Sequence, residues 1–290
     1  MTLRGFGSRW IGWSSVCVMG WFLFAGPVRV RAASQDQIDK LVQLGAELVR
    51  QGEYDKAVKP LEQANKLSEG SSIPALVGLS MAYNGAGEPA KAAPFARQAV
   101  EKSDNDQFYW LALGELTLAL AATEGEASAD LPKAFEAIRQ LLVEAPTGSV
   151  PNRLRQRLCW ARASLPDESP ESLDRVEKHY SRDEVKMIEG RLTPARQIYT
   201  EPMKVSRADE RRLGDKEEAV IQAVIDTDGC VLGGEIVRNS NDVWTELAFA
   251  AMRRNVFEPA RDGNEPVKAF FTLRFDYPRP FESRSLIEEQ

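Results

Sequence analysis

Histidine is almost missing from this chain: His179 is the only one among 290 residues. A metal site built on several imidazoles is therefore excluded, and any Ser/His/Asp triad would depend on this one side chain. His179 sits among Glu177, Lys178, Arg182 and Asp183, the setting of a solvated surface residue. No glycine-rich phosphate loop, metal-ligand cluster or nucleophile–base spacing occurs elsewhere. The sequence reads as non-enzymatic, with no cofactor and no metal. A net charge of −6 argues against nucleic acid as the partner, because phosphate binding draws on clustered Lys and Arg.

Cysteine is scarce too. Of the three, Cys17 lies in an apolar N-terminal run, leaving Cys159 and Cys230. Two readings stand: small buried apolar residues, or a disulfide that staples two regions together. Spacing alone does not choose between them.

Long apolar runs are confined to the N-terminus. Arg4 and Arg9 precede the stretch Trp10 to Val28, and Val30, Arg31, Ala32 and Ala33 follow. Cleavage after Ala32 would place Val30 and Ala32 where signal peptidases favour small or apolar side chains. The same stretch is long enough to span a bilayer, and Arg29 and Arg31 flank the cut. Residues 1–33 are thus a signal peptide or a membrane anchor. The expected location is the periplasm, either free or anchored in the inner membrane and facing it.

Within a helical domain expected over residues 36–165, Ile38 to Pro146 repeats with a period near 35. Leu44, Leu48, Gly52, Ala57, Leu61 and Ala64 recur as Leu79, Tyr83, Gly87, Ala92, Ala96 and Ala99. A third copy opens with Trp110, Leu113 and Gly114 and closes with Ala134, Ile138, Leu141 and Pro146. Small residues such as Ala92 and Gly114 let helices approach, and Gly52 and Gly87 end first helices where the chain turns. Thr123 to Asp130 are polar extra residues, expected as a solvated loop. Val150 to Ser164 is a further helix with Leu154, Leu158 and Ala161 on one face, placed to cap the array. This pattern resembles the tetratricopeptide-repeat family, although Thr117 replaces its usual aromatic and the first two copies lack a terminal proline. The resemblance implies stacked helical hairpins whose concave surface takes a protein or peptide partner; a mere spacer is the plainer reading.

Residues 166–194, rich in charge and proline, read as a linker with one short amphipathic helix near Ser172 to Tyr180. Beyond them Glu218 to Asp226 alternates as a strand with Ile221, Ala223 and Ile225 inward. Asp228-Gly229 is expected to supply the positive φ angles of a primed hairpin turn. Gly233 and Gly234 suggest a bulge. Asn241 or Asp242 caps a helix with Trp244, Leu247, Ala248, Ala251 and Met252 on its apolar face, and Asn255 suits a left-handed stop. After Phe257-Glu-Pro-Ala260 and a turn at Asp262-Gly263, Val267 to Asp276 alternates, with Val267, Ala269, Phe271, Leu273 and Phe275 on one side.

The order of these pieces resembles the C-terminal domain of the TonB energy-transducer family. The resemblance rests on Asp226-Thr-Asp-Gly229, Val237-Arg-Asn-Ser240, Ala248-x-x-Ala251-Met-Arg-Arg, Phe257-x-Pro-Ala260 and the closing strand. It implies a small sheet that adds an extended peptide from an outer-membrane transporter to its edge. Ala269, Phe270, Phe271, Thr272, Leu273, Arg274 and Phe275 are the edge it points to. The resemblance also implies, for a full transducer, a polar residue, typically histidine, in the membrane helix and a proline-rich spacer; Trp10 to Val28 holds Ser14 and Ser15 but no histidine or carboxylate, and helical repeats stand where the spacer would be. The fold class expected is α+β: helical hairpins (36–165), linker (166–194), ββαβ module (195–280) and polar tail (281–290). The function expected is a periplasmic adaptor, with an anchored transducer as the alternative.

Overall fold

The computed structural model describes residues 35–104, 107–165, 185 and 192–277. The signal or anchor segment, His179, the amphipathic helix near 172–180 and the tail lie outside the described residues. The class is α+β: helices first, then small antiparallel sheets with two helices among them.

Seven helices form the first region: α1 (Gln35–Arg50), α2 (Tyr54–Leu67), α3 (Ile73–Gly85), α4 (Pro89–Lys102), α5 (Gln107–Thr123), α6 (Leu131–Glu144) and α7 (Ser149–Ala163). Each packs against the next, and α1, α3, α5 and α7 also stack in series. The glycine-terminated turns are as read: Gly52 and Gly87 take φ of 77° and 78°. The next amide in each bonds back across the turn, Glu53 N–H to Leu48 O and Glu88 N–H to Tyr83 O. This closes the helix ends with carbonyls satisfied. Ser72 caps α3 by accepting from Ala75 N–H, 3.3 Å away.

Close approach is achieved by glycines that the repeat pattern did not single out. Leu61, wholly buried on α2, sits between Gly45 and Gly78. A β-carbon at either position would come within 2.3 or 2.7 Å of the Leu61 side chain. The equivalence of Leu44 and Leu79 holds in sequence but not in environment. Leu79 is fully buried, whereas Leu44 is 52% exposed, because α3 has a stacked helix on both sides and α1 has only α3. The polar insertion is a short 3-10 turn, Gly125–Ala127, with Ser128 buried behind it.

The second region holds β1 (Leu192–Thr193), β2 (Arg196–Tyr199), α8 (Arg207–Glu210), β3 (Glu217–Ile225), β4 (Val231–Asn239), α9 (Asp242–Met252), β5 (Val256–Glu258), β6 (Ala260–Asp262), β7 (Glu265–Val267) and β8 (Ala269–Tyr277). The main sheet runs β4-β3-β8, all antiparallel; β1-β6-β7 and β2-β5 form two smaller ones. Ile221, Ala223, Ile225, Phe271, Leu273 and Phe275 meet Trp244, Ala248 and Met252 of α9 in one core. The opposite face is partly covered as well: Val224 is fully buried against Val185, with Leu232 and Phe270 beside them.

Four local expectations need correction. Gly229 has φ of 89°, but Asp228 is not in the left-handed region. Gly229 N–H bonds Asp226 O and Asp226 N–H bonds Cys230 O. This is the wider loop with one left-handed glycine, not a primed two-residue turn. The register shifts in β4 fall at Leu232 and Val237 rather than at the glycines. Gly234 instead makes room, since a β-carbon there would lie 2.8 Å from Ile221 and 3.1 Å from the Met252 sulfur. Asn255 is not left-handed; it is wholly buried and its Oδ1 accepts the Glu201 N–H at 2.8 Å. Val267 ends β7, so the closing strand begins at Ala269.

Helix α7 does more than cap the array. One face, Leu154, Leu158 and Ala161, packs into the other helices. The adjacent face, Arg155, Cys159 and Arg162, meets the hairpin turn between β3 and β4. Cys159 is disulfide-bonded to Cys230, with Cα atoms 5.1 Å apart. Arg162 bonds Asp226 at 2.6 Å and Asp228 at 3.1 Å; Arg139 of α6 bonds Asp228 at 3.0 Å; Arg155 Nε donates to Asp228 O at 2.8 Å. Burial pushes the Asp226 carboxyl upward, opposed by Arg162 and by the Cys230 N–H it accepts. A glycine is required at 229, since a β-carbon would fall 1.9 Å from the Phe257 carbonyl.

Candidate functional site

Strand β8 lies at the end of the sheet order, paired with β3 along its whole length from Ala269↔Ile225 to Tyr277↔Glu217. Among the described residues no strand pairs with its other side. The alternation that the sequence shows is realised: Ala269, Phe271, Leu273 and Phe275 are buried, Phe270 and Thr272 are half-buried, and Arg274 is exposed.

The inward residues fix the strand in place. Phe271 packs on Phe257 with ring centroids 4.8 Å apart. Trp244 of α9 donates its indole N–H to Phe275 O at 3.0 Å and lies against Tyr277. That carbonyl is therefore already engaged, and the stretch suited to a visiting backbone shortens to Ala269–Arg274. The seven candidate residues do lie on one continuous strand, and the last serves the helix.

Helix α9 is held in register by its cap. Asn241 Oδ1 accepts from Val243 N–H at 2.9 Å and Trp244 N–H at 3.3 Å. Below it Glu217 accepts from Ser240 Oγ, Gly214 N–H and Asn241 Nδ2. The Ser240 and Gly214 donors hold its carboxyl below the usual range. This carboxylate joins the start of β3, the end of β4 and the α9 cap.

Electrostatics along the edge are paired. Arg274 Nε donates to both Asp276 oxygens, at 3.0 and 3.1 Å, and lies 3.4 Å from Glu218. The Asp276 bond pushes the Arg274 guanidinium above its ordinary value. The charge is thus drawn along the strand, leaving the strand's outer side less guarded than an isolated cation would.

Among the described residues no group of three or more His, Cys, Asp or Glu could hold a metal, and no helix is long and apolar enough to cross a membrane. The residues that sequence reasoning missed are Arg139, Arg155 and Arg162. Arg155, Cys159 and Arg162 stand at i, i+4 and i+7, one helical face. That spacing was the available signal; three hydrophilic or reactive side chains in register on a helix otherwise facing its neighbours mark a second contact.

No protein-family model matches this chain, and no curated protein matches it.

Proposed function

We propose that the protein is a non-enzymatic adaptor that takes an extended peptide by strand addition at β8, while its helical hairpins, of tetratricopeptide-like pattern, present a second partner surface. The observation that carries this reading is β8 itself: a nine-residue strand locked by its inner face and, among the described residues, at the end of its sheet and strand-paired on one side. Unpaired strand edges offer backbone donors and acceptors to any extended partner, with alternate side chains reading the sequence. The TonB-like order of the module supports a segment of an outer-membrane transporter as that partner, in the periplasm. The length of the apolar run Trp10 to Val28 favours a second reading, an anchored transducer; a new N-terminus near Ala33 in exported protein would exclude it.

The test uses the full chain, because removing the module would leave Cys159 without its partner. A photo-crosslinking residue at Thr272 is compared with one at Lys66, an exposed residue on α2. Outer-membrane protein crosslinked through an extended segment at position 272 alone is the expected result. Equal capture at both positions, or none at 272, contradicts strand addition.

A further inference from the structure

A cleft of about 730 Å³ opens where the helical region meets the module, within the size range of ligand sites. We propose that it binds an acidic peptide segment, independently of the β8 edge. The argument is charge complementarity. Among the described residues, Arg157, Lys204, Arg253 and Arg254 line the cleft with Glu201 as the one acid, on a chain whose net charge is −6. Arg157 is spent on Glu115, which it meets at 2.7 Å. Arg254 is not spent in the same way: its Nε stands 3.6 Å from Glu201, beyond a good hydrogen bond.

The cleft has a built wall. The guanidinium groups of Arg254 and Arg157 both lie over the Trp160 ring, their central carbons 4.6 and 5.1 Å from its centroid. Tyr199 meets it edge-on at 5.3 Å, and its indole N–H donates to Arg254 O at 3.0 Å. Such stacking presents the Arg254 guanidinium with its orientation already restricted, which lowers the entropy lost when a carboxylate arrives. Burial and the Glu201 bond push the Tyr199 hydroxyl well above its usual range, so it stays neutral and adds no opposing charge. Asn84, also on the cleft lining, is spent on Glu115, to which its Nδ2 donates. Carboxylates spaced along a chain match the separate cations of Lys204 and Arg254 better than a single compact anion does.

The test is selection of a random phage-displayed dodecapeptide library on the full oxidised protein, followed by fluorescence anisotropy with the enriched peptides. Enriched sequences carry an excess of Asp and Glu, and their binding weakens about ten-fold or more in Arg254→Glu with Lys204→Glu, the scale of losing charge-assisted hydrogen bonds. Both residues are exposed, so neither change disturbs a core. Arg274→Glu on β8 leaves the same binding unchanged, which separates this site from the sheet edge. Enrichment without acidic excess, or full affinity in the Arg254→Glu and Lys204→Glu variant, overturns the proposal.

Discussion

The interior of α1–α4 and the joint between α7 and the β3–β4 turn solve the same problem, bringing backbone close to backbone, by opposite chemistry. In the first, Leu61 fills the space that Gly45 and Gly78 leave, and alanines at 57, 64, 92, 96 and 99 are fully buried. Contacts there are dispersive and non-directional, and depend on close fit rather than on angle. In the joint, Arg139, Arg155 and Arg162 grip one four-residue turn through Asp226 and Asp228, beside a disulfide. Directional bonds of that kind fix orientation more than they add net stability, since desolvation offsets much of the Coulomb gain. Stacked helices require proximity, whereas a sheet module held at one angle requires orientation.

Breaking the buried charge inside the helical region has the largest expected effect. Glu115 is 1% exposed and takes both Asn84 and Arg157. Glu115→Ala strands Arg157 and costs about 3–5 kcal/mol in denaturant unfolding, the range for half of a buried pair removed. Next comes the joint: Cys159→Ser with Cys230→Ser frees a 71-residue separation and costs about 4 kcal/mol on the chain-entropy estimate. A loss near zero would mean that the arginine–aspartate contacts alone hold the turn. Third, Leu79→Ala costs about 2–5 kcal/mol, while Leu44→Ala, at the equivalent repeat position, stays within about 0.5 kcal/mol. Equal losses would refute the difference in environment between the two leucines.

The smallest effect is a pH dependence confined to the module. Glu217 has a folded pKa below its unfolded value. Its contribution is therefore present above the unfolded pKa and is lost as pH falls from about 4.5 through the lower folded value. Glu217→Gln should lower the melting temperature at neutral pH, and the gap to wild type should close in acid. A gap that persists unchanged at low pH would show that the carboxylate's charge is not what holds the Ser240 and Gly214 bonds.

Much of this architecture was legible before any coordinates, and for a physical reason. Repeat register and strand alternation are periodic and local, so Ala57, Leu61 and Ala64 or Phe271, Leu273 and Phe275 announce their faces directly. The Asn241 cap was legible for the same reason, being a contact over two or three residues. Gly45 and Gly78 were not, because what they accommodate lies on another helix. The joint was least legible of all. Arg155 and Asp228 are 73 positions apart, and Arg162 and Asp226 are 64 apart; no local pattern records such a pairing. Asp226-Thr-Asp-Gly229 reads in sequence as a turn and as a piece of the TonB-like order, neither of which shows that its two carboxylates receive the helical region. On the candidate edge, alternation located β8 but could not show that Trp244 takes the Phe275 carbonyl.

Backbone N–H residual dipolar couplings on the oxidised protein test most directly whether the joint fixes the sheet edge relative to the helices. The account predicts that one alignment tensor fits α1–α7 together with β3, β4, α9 and β8, and that reducing the disulfide in an Arg162→Ala background splits it into two. Two distinct tensors in the intact, oxidised chain would contradict it.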